Sequence, residues 1–336
     1  MMARKYAKPK EKRDLYQDVT NFVLSQFDED TPKWRKPWVP NDFPCSIPFN
    51  VSTGKPYRGI NNTVLQLAAL DHADPRFMTY KQSNDLGCQV MKGEKGNTVL
   101  FYKTVEKDKD KTDSNTPGDD DSKDSYLVAR GYTVFNAQQI AGLSPLPVTE
   151  KTWDDDQIAD MFIEHMITEF DTDVKYGTDK ACNIGNKVRM PHRGDFSDSS
   201  EFYATMFHEM THRTQYLTGR KELDLPYEHE ELVAELGAMF LSRKLNMPFN
   251  PNVDNNSASY IKGWTLKANI EDDKNLLFKA SRLAQEAVEH VLTPSFMEKV
   301  NQIQGVDEAI QLAVDEAADP QLAKENHSNK SSLKCG

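Results

Sequence analysis

The pentapeptide His208-Glu209-Met210-Thr211-His212 restricts this chain more than any other stretch of it. Two histidines four residues apart reach one point if the segment is helical, because i and i+4 then share a face. The flanking residues predict that helix over 199–217, starting at Asp198 or Ser199 with Glu201 placed for a capping box. Glu209 falls about 100° around the helix from His208, where it can hold a water beside a bound ion. Two imidazoles and one carboxylate from a neighbouring helix would leave open the fourth position that a catalytic zinc requires.

The carboxylate is sought downstream. Glu230-Glu231-Leu232-Val233-Ala234-Glu235 lies in a predicted helix over 228–245, and Glu231 follows His212 by 19 residues. Glu231 and Glu235 are again four apart, so one can bind metal while the other accepts a hydrogen bond from a ligand imidazole. Glu231 is read as ligand and Glu235 as the supporting acid, the reverse assignment remaining open. The expected ion is Zn²⁺, with another divalent ion such as Mn²⁺ as the alternative. Such an ion would lower the pKa of water towards ~7, and Glu209 would act as general base towards a peptide bond of an unknown protein substrate. The sequence does not identify an oxyanion donor. His229 is expected to be solvated, His165 and His192 lack ligand spacing, and Tyr203 is expected to pack away from the metal. No Walker A, GxSxG or GxGxxG motif is present.

A length of 336 residues suggests about two domains. Apolar residues make up 38%, but 16 Phe, 12 Tyr and 4 Trp are too many for a disordered chain. No apolar run approaches a bilayer span or a signal-peptide core, so no membrane partner and a cytoplasmic location are expected. The scattered Cys45, Cys88, Cys182 and Cys335 read as reduced thiols. Helical patterning is expected over 11–27 and 61–72, the latter capped by Asn61 or Asn62, and strands over 98–102 and 126–135. Residues 106–125 between these strands contain no apolar residue and read as a disordered acidic insertion. A linker is expected at 143–147, then helices at 155–170 and 274–293 and a short strand at 187–191. The fold class is α+β with two domains: a small α+β domain over 1–147 and a mostly helical metallopeptidase-like domain over 148–300. Residues 301–336 are expected to form a flexible tail.

The net charge of −11 argues against a generic nucleic-acid coat, but the charge is unevenly placed. Residues 1–103 hold 16 Lys/Arg and 11 Asp/Glu, a balance of +5 that leaves −16 for the remainder. Aromatics alternate with cations there: Trp34, Arg35, Lys36 and Trp38, then Lys55, Tyr57 and Arg58, then Tyr80 and Lys81. Rings that stack on bases and cations that follow phosphates are what single-stranded nucleic-acid binding requires. The competing reading of the Pro-Trp stretch is a lid packed on a core.

The chain resembles the ArdC-type antirestriction proteins of conjugative plasmids and related mobile elements. The resemblance rests on residues 32–38 (PKWRKPW), 50–61 (NVSTGKPYRGIN), 79–82 (TYKQ), 90–96 (VMKGEKG), 132–136 (YTVFN), Met190-Pro191, the HExxH with Glu230–Glu235, and 260–264 (YIKGW). It covers roughly 11–293. It implies an N-terminal domain that binds single-stranded DNA without sequence preference and a C-terminal zincin-like metallopeptidase domain similar to the SprT group. The implied role is protection of incoming DNA from host restriction. Arg213 stands where an aromatic is expected, and the acidic insertion is longer than expected. Two other readings are a DNA-binding protection factor with a structural metal and no proteolysis, and an effector metalloprotease with no DNA role.

Overall fold

The structure is a computed structural model that describes residues 14–25, 47–68, 72, 74–106, 125–146, 155–247, 263–265, 273 and 275–319. Helix α1 spans Leu15–Ser25 and α2 spans Ile60–Ala68, and both are amphipathic as their periodicity predicts. Strands β1 (Phe49–Asn50), β2 (Arg76–Thr79), β4 (Asn97–Glu106) and β5 (Ser125–Asn136) form one sheet in the order β1-β2-β5-β4. Helix α3 (Tyr80–Asp85) follows β2 through a capping box formed by Thr79 and Gln82. Strands β3 (Gln89–Val90) and β6 (Ile140–Ala141) pair separately.

β4 and β5 are antiparallel from Asn97↔Val134 to Glu106↔Ser125. Both strands expected on either side of the insertion are therefore present and pair along their whole length, while 107–124 lie outside the described residues. Asn61 does not cap α2, whose first bond runs from Thr63 N–H to the Gly59 carbonyl. Its side chain instead donates to the Leu100 carbonyl and accepts from the Leu100 N–H, both at 2.7 Å. The amide thus occupies two ladder groups on the edge strand β4, which would otherwise need water or a partner strand.

The second half begins with α4 (Asp155–Glu169) and a three-stranded sheet of β7 (Asp173–Tyr176), β8 (Cys182–Ile184) and central β9 (Lys187–Met190). Val188 and Met190 of β9 are fully buried. Helices α5 (Ser199–Thr214) and α6 (Tyr227–Lys244) then pack on each other, and α7 (Leu276–Val291) packs against both.

A single apolar cluster runs from Val19, Val64 and Phe77 in the first half through Phe162, Phe207, Leu232 and Leu277 in the second. Polar contacts cross the same boundary: Thr63 Oγ1 lies 3.0 Å from Ser281 Oγ, and Gln285 Oε1 accepts from the Gly59 N–H.

The flexible tail expected from residue 301 is corrected by the structure. Helix α8 covers Pro294–Gln304, Gly305 turns the chain at φ 62°, and α9 continues over Val306–Ala318. Ala309, Ala313 and Ala317 repeat every fourth residue and are buried, the first two against Ile47 and Phe49 and the third against Val51 and Met78. An alanine stripe contributes little to an apolar pattern, yet it lets a helix lie close to a sheet. Residues 320–336 lie outside the described set. Cys88 is buried and Cys182 exposed, both as free thiols, while Cys45 and Cys335 are outside it. Among the described residues no helix is long and apolar enough to cross a membrane.

Candidate metal centre

Helix α5 starts where the sequence predicts, with Asp198 Oδ1 accepting the Glu201 N–H at 3.0 Å. The capping box is not completed, because the Glu201 carboxylate takes the Ser197 hydroxyl instead. Phe202, Tyr203, Met206, Phe207 and Met210 anchor the helix in the core. The Tyr203 hydroxyl donates to Asp160 at 2.9 Å, so this residue packs away from the ligand face, as expected.

The opposite face carries His208 and His212, whose Nε2 atoms are 3.1 Å apart. Glu231 of α6 reaches both, with Oε2 at 3.5 Å from His208 Nε2 and Oε1 at 3.5 Å from His212 Nε2. One donor atom from each of the three residues lies within 4.8 Å of the others. Both outer ring nitrogens face acids. His208 Nδ1 lies 3.2 Å from Glu235 Oε1, and His212 Nδ1 lies 3.4 Å from Glu230 Oε1. Arg220 fixes Glu230 with bonds of 2.8 and 3.0 Å and also donates to the Thr211 carbonyl and the Thr214 hydroxyl.

This donor set fits a divalent cation. Two imidazole nitrogens and one carboxylate converge, and each imidazole has an acid behind it to fix its tautomer and raise its basicity. Glu231 is the acid that lies between the two Nε2 atoms, while Glu235 stands behind His208 at its Nδ1. Glu230 stands behind His212 in the same way, a placement that sequence reasoning missed. Its neighbour Glu231 drew the attention, and Arg220, ten residues upstream, carries no local pattern that links it to the site.

The two histidines and their acids shift one another's protonation. Burial works to lower the His208 pKa, but hydrogen bonds with Glu231 and Glu235 carry it up to about 10. Burial opposes ionisation of Glu231, yet its bonds to both histidines hold its carboxyl well below the usual range. Glu209 stands outside the three-ligand group and is largely buried. Burial pushes its carboxyl upward against the pull of His208 and His212, which makes it a better proton acceptor than an exposed glutamate.

The remaining histidines bear out their minor roles only in part. His165 stacks on Phe296 with 4.5 Å between centroids and bonds the Val291 carbonyl, and His192 is exposed. His229 is half-buried rather than fully solvated. Arg213 is buried and donates to the Phe170 carbonyl at 2.8 Å, so the departure at this position is absorbed in packing.

Of the DNA-contacting candidates, Trp34, Arg35, Lys36 and Trp38 lie outside the described residues. Lys55 and Lys81 are exposed. Tyr57 is buried and its hydroxyl accepts from Asn50 Nδ2, while Arg58 bonds both carboxylate oxygens of Glu289. The structure therefore leaves no open ring face at Tyr57 and engages Arg58 within the chain.

Residues 13–135 match the family model of the N-terminal domain of the anti-restriction factor ArdC, and residues 161–283 match a zincin-like metallopeptidase model. The solved structure of the antirestriction ArdC protein from the R388 plasmid, in its metal-free form, superimposes with a TM-score of 0.62 at 31% identity, covering 86% of this chain and 98% of that one. The chain belongs to the ArdC antirestriction family. The Mn(II)-bound form of the same R388 protein aligns with a TM-score of 0.58 at 33% identity, over 86% of this chain and 98% of that one. An uncharacterised protein, y4eC, of Sinorhizobium fredii is 30% identical across 88% of this chain and 97% of its own length. Two Escherichia coli proteins named DNA primase TraC are 34% and 33% identical across 90% and 84% of this chain. The chain spans only 29% and 20% of the length of those two primases. Within this ArdC-family chain, both helices that build the metal cluster fall inside the zincin-like segment, and the four-stranded sheet falls almost wholly inside the N-terminal one.

Proposed function

We propose that this ArdC-family chain binds single-stranded DNA through its N-terminal part, holds a divalent ion in its C-terminal part for peptide hydrolysis, and protects incoming DNA of a mobile element from host restriction in the cytoplasm. The observation that carries the reading is the convergence of His208 Nε2, His212 Nε2 and a Glu231 carboxylate oxygen within 4.8 Å, with Glu209 beside them. The basic, aromatic first segment and the family relationship support the DNA side.

His208, His212 and Glu231 would hold Zn²⁺, or Mn²⁺ as in the relative, and the ion would supply a Lewis acid that brings the pKa of water towards ~7. Glu235 and Glu230 orient the two imidazoles by accepting from their Nδ1–H groups. A carboxylate of Glu209 accepts the proton of the attacking water and delivers it to the leaving amine. Helices α5 and α6 set these positions rigidly, which places the base before a substrate arrives.

The test has two arms. Metal analysis of the full chain should give one ion, lost in His208→Ala together with His212→Ala; full occupancy in that variant would overturn the ligand assignment. A restriction-protection assay with Glu209→Gln separates the mechanisms. Loss of protection with metal retained supports hydrolysis, and full protection shows that binding alone suffices.

A further inference from the structure

The single-strand reading requires exposed rings, and the Lys55–Arg58 loop does not supply them: Tyr57 is buried and Arg58 is bonded to Glu289, which leaves Tyr80, 51% exposed beside the exposed Lys81, as the open ring of the sequence-predicted pattern among the described residues. Strands β4 and β5 do supply them. Residues directly opposite in an antiparallel pair share a face, and alternate residues along each strand return to it. The register sets Phe101 opposite Arg130, Tyr132 opposite Val99 and Lys103 opposite Val128. Phe101, Lys103, Arg130 and Tyr132 therefore stand on one face of the hairpin.

Both rings on that face are open, Phe101 at 50% and Tyr132 at 42% exposure. Their centroids are 5.5 Å apart and their planes meet at 85°, so they form a corner in which a base stacked on one ring meets the other at its edge. Lys103 and Arg130 are exposed beside them and have no ion-pair partner among the described residues. Among the described side chains, no Asp or Glu alternates onto this face from Asn97 to Lys103 or from Val128 to Val134. In a chain with 52 acidic residues, an acid-free face with two open rings and two cations is complementary to bases and phosphates. Towards the β2 end of the same face Val134 and Val99, the residue opposite Tyr132, are buried in the core, so the backbone beneath the rings is fixed.

We propose that this face of the β4–β5 hairpin is a stacking platform for single-stranded DNA, with Phe101 and Tyr132 contacting bases and Arg130 and Lys103 contacting phosphates. The proposal rests on the reading that the N-terminal part binds single strands, and it places the stacking contacts on the sheet. Duplex DNA hides its base faces within its own stack, so the platform discriminates against it.

The experiment is an anisotropy titration of a fluorescein-labelled oligothymidylate with the full chain. Phe101→Ala and Tyr132→Ala should each weaken binding by roughly 5- to 150-fold, the cost of one lost base–ring contact. Phe101→Leu, which keeps apolar bulk without a flat ring, should lose as much, and Phe101→Trp should restore binding. Arg130→Ala should lower the slope of affinity against salt by about 0.7. Unchanged metal content and melting would show that the variants are folded. If the parent binds and the ring variants bind equally well, the platform is wrong while the single-strand reading stands. If the parent does not bind, both fall. If Phe101→Leu instead dissociates a dimer and leaves DNA affinity intact, the face is a self-interface and the proposal is overturned.

Discussion

Thr211 and Gly237 touch so closely that a methyl group on Gly237 would lie 2.3 Å from Thr211 Cγ2 and 2.7 Å from its Oγ1. The Thr211 side chain cannot swing away without losing the 2.8 Å bond from its hydroxyl to the Phe207 carbonyl. This contact sits one residue before His212 and two residues after Glu235, so it sets the separation of α5 and α6 at the metal cluster.

Gly237→Ala should therefore destabilise the protein and loosen the site together. Alanine in a helix interior would by itself add up to ~1 kcal/mol. Overpacking at such a contact costs typically ~1–3 kcal/mol and should outweigh it. Calorimetry should show a lower melting temperature and a weaker metal affinity, and adding Thr211→Ser, which removes Cγ2, should recover part of both. A Gly237→Ala protein that melts higher with unchanged metal affinity would show that the helices are not held apart here.

Metal affinity should rise with pH. Burial works to lower the His208 pKa, but Glu231 and Glu235 favour its charged form and push it up to about 10. A raised pKa of this kind stabilises the metal-free fold fully below the unfolded value of ~6.5, and the contribution is lost as pH rises through about 10. Glu231 has the opposite sign: its lowered pKa stabilises the fold above ~4.3, and that contribution is lost as pH falls through its folded value. A metal must displace the imidazole proton, so binding releases protons. Titration calorimetry in buffers of different ionisation enthalpy should detect that release, and the melting shift caused by metal should be larger at pH about 8 than at about 6. A shift independent of pH would mean that His208 is not a ligand.

The acids behind the imidazoles can be separated from the ligand by substitution. Glu231→Gln should abolish metal binding, whereas Glu235→Ala should reduce affinity about 10–100-fold. Arg220→Ala should act in two ways, because Arg220 is buried and its loss leaves the Glu230 carboxylate without its cation. Breaking such a pair costs about 3–5 kcal/mol, so both melting temperature and metal affinity should fall. The reverse order, with Glu235→Ala losing metal and Glu231→Gln retaining it, would exchange the two glutamates.

Much of this arrangement could be read from periodicity. The spacing of His208 and His212 and the four-residue interval of Glu231 and Glu235 both depend only on helix geometry, and helices formed there. The choice between the two glutamates could not be read, because it depends on the rotation of α6 against α5, which Thr211 and Gly237 set through a tertiary contact. Tyr57 looked like a stacking ring because it is flanked by Lys55 and Arg58, yet the core took it, since apolar burial of a tyrosine competes with any surface use. Phe101 and Tyr132 escaped notice because their face emerges only when β4 and β5 are paired, and the register of that pairing is not written in the 18 residues, 107–124, that separate the two strands in sequence. Helix α9 was missed because three alanines make a weak apolar signal.

The burial pattern also predicts the behaviour of fragments. Read from the sequence, residues 1–147 are a domain of their own, and most of them lie in the basic part of the chain. In the structure Ile47, Phe49, Val51 and Met78 are covered by α9, and Val64, Leu65 and Phe77 belong to the cluster shared with α7. A 1–147 fragment should therefore lose cooperative melting and expose apolar surface to a reporter dye such as ANS. A cooperative transition in the fragment, with parent-like DNA affinity, would show that the first part stands alone.

The alanine stripe of α9 has a consequence for biosynthesis. A ribosome makes β1 and β2 early, but the helix that covers them ends at Ala318. The sheet must wait with an uncovered side while α4 to α8 emerge, a period in which chaperones and proteases have access to it. Slow codons or a stalled ribosome anywhere between β5 and α9 would prolong that exposure, so the yield of folded protein should depend on the pace of translation through its second half.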